Sequence, residues 1–112
     1  MAKFMVLYSS PVSASDLMTN ATPEQMKASM AEWIEWRDTV RAKANVDFGM
    51  PLQPVSKITP QGVTDSTCQV SGYTIIESDS KETVISLVQS HPHLKRPGAS
   101  IDVLEMLPMP GM

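Results

Sequence analysis

Along the chain, apolar side chains recur with two different periods, and the places where one gives way to the other mark out the elements. Phe4 to Tyr8, "FMVLY", is apolar on both parities and is ended by "SSP". That is the pattern of a strand covered on both faces, expected at the centre of a sheet. The polar "SASDLMTNA" that follows reads as a loop. "TPEQ" then opens a helix, with Thr22 as N-cap, Pro23 at the first helical position and Gln25 placed to close a capping box. From there Met26, Met30, Trp33, Val40 and Ala44 repeat at steps of three, four and seven, while Glu24, Lys27, Glu35, Asp38 and Arg41 fall elsewhere. This gives one apolar stripe on a helix of about five turns, ending near Asn45, a residue that tolerates the left-handed conformation of a C-terminal cap. Arg37 falls on the stripe. Its stem is expected to pack while the guanidinium reaches water or an acid, with anion binding as the alternative.

The period then changes to two. In "VDFGMPLQPVSKI", Val46, Phe48, Met50 and Leu52 share one parity and Asp47, Gly49 and Pro51 the other, so a half-buried strand is expected, its prolines suiting an edge or a bend. "TPQGVTDST" supplies a turn, and "CQVSGYTIIES", from Cys68 to Ser78, returns as an antiparallel strand in which Gly72 marks a bulge or a close backbone approach. Asp79 reads as the N-cap of a second helix, with Glu82 three residues on. Val84, Val88 and His91 fall on one helical line, with Ile85 and Leu87 beside it. Pro92 disfavours a helical backbone at the residue before it, which puts His91 in the last turn or just beyond. "IDVLEML", from Ile101 to Leu107, closes the fold as a strand, and residues 108–112 form a tail.

The order strand, helix, strand, strand, helix, strand predicts an α+β domain of the ferredoxin-like βαββαβ type, a four-stranded antiparallel sheet with both helices on one face. The other face of the sheet also carries apolar side chains, and a second copy of the chain is the expected cover, in a two-fold homodimer.

Composition narrows the partners. A chain of 112 residues is one domain. Its net charge of -3 lacks the basic footprint of a nucleic-acid binder. The apolar run in "MAKFMVLYSSP" is too short for a signal peptide or a membrane span, and a single cysteine excludes an intrachain disulfide; both lead to the expectation of a cytoplasmic protein. The nine methionines are expected mainly as core filler.

Candidate chemistry centres on "SHPHLKRPGASIDV", which holds both histidines of the chain. His91 and His93 offer two metal ligands where three or four are needed, and Pro92 turns the chain between them, so no metal site is expected. Cys68, at a strand start, reads as a small buried hydrophobe, and no nucleophile elbow surrounds any serine. General acid–base chemistry needs only one group of suitable pKa, and His91, on the packed line of the second helix, is the candidate catalytic residue. The competing reading is that it only ends the helix, where a donor near the last carbonyls is favourable. His93, past the stop, is expected on a surface or loop. Trp33 in the middle of the apolar stripe and Trp36 at its margin are core residues by default. Trp33 could also stack on a flat ligand, and Tyr73 could offer a phenol to the same cavity.

Taken in order, "MVLYSS", "TPEQMKASMAEWIEWRDTVRAKANV", "GMPLQP", "SGYTIIESDSKETVISLVQSHPHL" and "IDVLEM" resemble the YCII-related proteins, in particular the branch named for an Asp-Gly-Pro-Phe motif. The resemblance implies a ferredoxin-like fold, a dimeric α/β barrel and a cavity between sheet and helices. Proteins of this architecture include small cofactor-independent enzymes: muconolactone isomerases, antibiotic-biosynthesis monooxygenases and a dehydrochlorinase. Some members are encoded near sigma factors, which implies an accessory or regulatory role instead. The naming motif is absent, its loop reduced to "TPQGVTDSTCQV". Where many members carry a histidine in the first helix this chain has Ser29, and where the smallest members carry an aspartate before a proline it has His91. Two functional expectations follow. In the first, a cofactor-independent enzyme acts on a small aromatic or lactone-type metabolite, with His91 moving the proton, Ser29 and Tyr73 orienting the substrate and Trp33 forming the wall. In the second, a non-catalytic dimer binds a small molecule or serves transcription regulation as an accessory. The missing helix histidine favours the second, the tryptophans the first.

Overall fold

The computed structural model describes residues 2–12, 16 and 19–111. Four strands form one antiparallel sheet: β1 (Ala2–Ser9), β2 (Asn45–Asp47), β5 (Val70–Ser78) and β6 (Ser100–Met106), in the spatial order β2-β5-β1-β6. β3 (Ser56–Thr59) and β4 (Gly62–Asp65) form a separate two-stranded sheet. Among the described residues, helices α1 (Pro23–Arg41) and α2 (Lys81–Val88) and a short 3₁₀ turn over Pro92–Lys95 join the sheets in an α+β fold. The stretch read as a loop, residues 13–21, falls largely outside the described residues.

β1 lies between β5 and β6 as its doubly apolar sequence requires, with Val6 opposite Thr74 on one side and Val103 on the other. One parity, Phe4, Val6 and Tyr8, is buried together with Ile76 of β5, Trp36 and Val40 of α1, and Val84, Leu87 and Val88 of α2. The other parity, Met5 and Leu7 with Tyr73 and Ile75, is only half-buried, and Leu104 and Met106 beside it are exposed. Opposite Tyr8 the register breaks. Gly72 pairs with Tyr8 and Val70 with Ser9, leaving Ser71 as the extra residue of a bulge, its hydroxyl donating to the Tyr8 carbonyl at 3.3 Å.

Helix α1 begins as its sequence directs. Thr22 Oγ1 accepts from the Gln25 N–H at 3.1 Å, and the Gln25 side-chain oxygen accepts from the Thr22 N–H at 2.9 Å, the reciprocal capping box. Its buried line runs through Trp36 and Val40, flanked by Trp33 and Ala44, so Trp36 rather than Trp33 is the deeper residue. Met26 and Met30, placed on the apolar stripe by spacing, are exposed, since the core takes up the helix only from Trp33 onward. Arg37 is partly exposed, its Nε 3.4 Å from the Asp38 carboxylate. The helix closes on Ala42 with an ordinary right-handed backbone, and Asn45 begins β2 instead of capping it.

The segment expected as one strand over residues 46–58 is divided. It pairs with β5 only through Asp47 and again at the single bridge between Pro51 and Gly72, then leaves the sheet and turns back on itself as β3 and β4, so part of the expected turn is the strand β4. Pro51 and Pro54 interrupt any continuous ladder because proline donates no hydrogen bond. Gly49 sits at φ 62°, and a Cβ there would overlap the Tyr73 carbonyl and ring, so only glycine lets the chain lie this close to β5. Ser80, one residue beyond Asp79, caps α2, its hydroxyl accepting from the Thr83 N–H at 3.1 Å. Cys68 is exposed, outside the core assigned to it by residue type.

Candidate functional site

The densest grouping of chemically versatile side chains lies where β1, α1 and the end of α2 meet. Helix α2 ends at Val88, and the backbone continues to His91, whose N–H donates to the Val88 carbonyl at 3.0 Å. Pro92 forces His91 into an extended conformation, φ -65° and ψ 134°, and itself opens the 3₁₀ turn. In that conformation the ring folds back, and Nδ1 accepts from the His93 N–H at 2.9 Å, capping the turn.

His91 is 2% exposed. Three aromatic rings enclose it, with centroids 4.2 Å away for Trp36, 4.3 Å for Trp33 and 4.6 Å for Tyr8. Because Nδ1 accepts a hydrogen bond, the proton of the neutral ring resides on Nε2, which is buried without a partner. Burial pushes the imidazole pKa down to about 3, reinforced by the nearby charges of His93 and Arg96. The bond from the His93 N–H acts in the same direction, since a charged ring would turn an N–H toward it.

His93, expected on the surface, is 1% exposed. The 3₁₀ turn directs it inward, where Nε2 donates to the Ser9 carbonyl at 2.8 Å, and Nδ1 is left as a buried acceptor without a donor. Burial lowers its pKa, and the bond to Ser9 opposes that shift. Tyr8 shares a 2.6 Å hydrogen bond with Thr74, and burial pushes the phenol up to about 12. Trp36 Nε1 donates to the Leu87 carbonyl at 2.9 Å and ties α1 to α2.

Of the residues expected to form a site, His91 and Trp33 are brought together. Ser29 lies one turn before Trp33 on α1 and is partly exposed. Tyr73 is not part of this grouping. It alternates with Thr74, which bonds Tyr8, and therefore points to the opposite sheet face, beneath Gly49. The phenol beside His91 belongs to Tyr8, which the parity of Phe4, Val6 and Tyr8 could have identified.

Outside this cluster, an open depression of about 270 Å³ runs between α1 and the residues after α2, lined by Glu32, Glu35, Trp36 and Thr39 on one side and Ser90, Pro92 and Lys95 on the other. An exposed ion pair of 3.2 Å, Lys95 to Glu32, links its two walls. Among the described residues no group of three or more His, Cys, Asp or Glu is placed to hold a metal ion, and no helix is long and apolar enough to cross a membrane. Neither a known family model nor any curated protein matches the chain.

Proposed function

We propose that this chain is a YCII-related protein, a ferredoxin-like βαββαβ domain that works as a homodimer in a non-catalytic role, as a small-molecule binder or an accessory to transcription regulation. The strand order β2-β5-β1-β6, antiparallel throughout, supports the ferredoxin-like assignment when the β3–β4 hairpin is treated as an insertion. The apolar sheet face of Met5, Leu7, Ile75, Leu104 and Met106 supports a second copy as its cover.

The observation that carries the non-catalytic reading is the state of His91. A general base for work near neutral pH needs a pKa close to that pH and an open path to substrate. This imidazole has its Nδ1 engaged by a backbone N–H, its Nε2 enclosed, and its pKa pushed down to about 3. It serves instead as a neutral wedge holding the aromatic rings apart.

The second reading, a cofactor-independent enzyme for a small aromatic or lactone-type metabolite, draws support from the 4.3 Å contact between Trp33 and His91, with partly exposed Ser29 one turn away on the same helix. Heteronuclear NMR of the histidine rings separates the two. The expected result is a neutral His91 with its proton on Nε2 that does not titrate between pH 8 and 5, well above the value of about 3 that burial imposes. A His91 titration near neutrality would overturn the non-catalytic reading in favour of the enzyme.

A further inference from the structure

Residues 90–99 run from the end of α2 to the start of β6 and carry His91 into the ring cluster on the way. Among the described residues, the backbone N–H groups of this segment bond only locally: His91 to Val88, Leu94 to His91, Arg96 to His93 and Ala99 to Arg96. Its hold on the rest of the fold comes from side chains. The His91 ring is wedged among Trp33, Trp36 and Tyr8, His93 donates to the Ser9 carbonyl, and Lys95 pairs with Glu32. That ion pair is exposed and adds little, so the two imidazoles are the main attachment. They answer a proton differently. His93 donates to Ser9 through Nε2 and keeps that bond when charged. His91 loses its own bond, because a proton on Nδ1 faces the His93 N–H.

We infer that residues 90–99 form an acid-released strap: His91 latches it shut as a neutral ring, and a proton on His91 frees the turn and uncovers Trp33, Trp36 and Tyr8. The closed cluster offers no counter-charge to an imidazolium. From β1 it meets Tyr8, a neutral phenol bonded to Thr74, and from the strap itself His93 and Arg96, which both oppose a positive ring. Helix α1 faces it with two indoles, while Glu32 is tied to Lys95 and Glu35 lines the depression outside. Helix α2 brings Val84, Leu87 and Val88 to the core, and Asp102 of β6 lies on the sheet parity opposite to the packed Ile101 and Val103. No carboxylate pairs with either imidazole among the described residues. The proton is therefore taken up with the strap open, where the ring regains its ordinary pKa of 6.5, and each pH unit below that raises the open population by up to about tenfold. Because Ser90, Pro92 and Lys95 form one wall of the depression beside Trp36, opening extends that depression into the ring cluster.

The test follows amide hydrogen exchange in the full chain and in His91→Asn from pH 7 to pH 4, expressed as protection relative to the unfolded chain. The amides of residue 93, Leu94 and Arg96 report on the strap and those of β1 on the whole domain. The wild-type strap amides are expected to be less protected than β1 throughout. Between pH 6 and pH 4 their protection is expected to fall at least about tenfold more than in His91→Asn, whose side chain keeps an acceptor but no titrating ring. Strap and β1 amides that are equally protected and decline together would show the whole domain opening at once, which overturns the strap. A wild-type pH dependence no steeper than that of His91→Asn removes His91 as the latch and overturns it as well.

Discussion

The two imidazoles in the chain are both buried, and each has one nitrogen without a partner, so protons decide how well this region holds. For His91 the folded pKa is about 3 against an ordinary 6.5, so below pH 6.5 the unfolded chain binds a proton that the folded chain refuses. The stability from its burial is therefore complete above pH 6.5 and declines as pH falls toward 3, by as much as about 1.4 kcal/mol per pH unit, with His93 contributing in the same direction. Tyr8 acts at the other end. Its raised pKa costs stability as pH climbs from 10 toward 12, where the unfolded phenol ionises first. Urea midpoints measured across pH check both limbs. His91→Asn keeps an acceptor for the His93 N–H but no titrating ring, and its acid limb is expected to flatten; a slope equal to wild type would remove His91 as the cause. The burial of His93 was not legible in sequence, because a residue after a helix stop reads as loop. Only the 3₁₀ turn that Pro92 opens, a tertiary choice fixed by the Ser9 carbonyl, turns it inward.

Among the elements, α1 was the most legible because its N-terminal signals are local: Thr22, Pro23 and Gln25 interact with one another and need no distant partner. Thr22→Ala is expected to cost about 1 kcal/mol, read as a lower urea midpoint at unchanged m. A midpoint equal to wild type would make the capping box dispensable. Which face of α1 is buried was less legible. Spacing defines a stripe along its whole length, but the sheet and α2 cover only the part around Trp36 and Val40, so Met26 and Met30 remain exposed. The same limit applies to the segment from Val46 to Ile58. Its alternation is real on either side of the prolines, but alternation does not say which partner a strand finds, and β3 pairs with β4 instead of β5. Tyr73 illustrates the parity rule, since one residue of offset from Thr74 sends it to the other face of the sheet.

At the scale of the whole molecule, one side of the sheet is sealed by both helices and the other is not. The open side predicts self-association. Leu104→Lys, at an exposed position that the monomer core does not use, is expected to shift the light-scattering mass from that of a dimer toward 12.3 kDa, and an unchanged dimer mass would place the interface elsewhere. The doubly apolar sequences "FMVLY" and "VLEML" made this surface legible, whereas the β3–β4 hairpin was hidden in residues that read as one strand and a turn. Both tryptophans of the chain abut the same imidazole, one of them bonded to the Leu87 carbonyl in the last turn of α2, so they sample a single junction of β1, α1 and α2. An imidazolium quenches indole emission on contact, and water entering the junction shifts that emission to the red. The intrinsic fluorescence of this protein is thus a label-free optical gauge of whether these three elements remain joined.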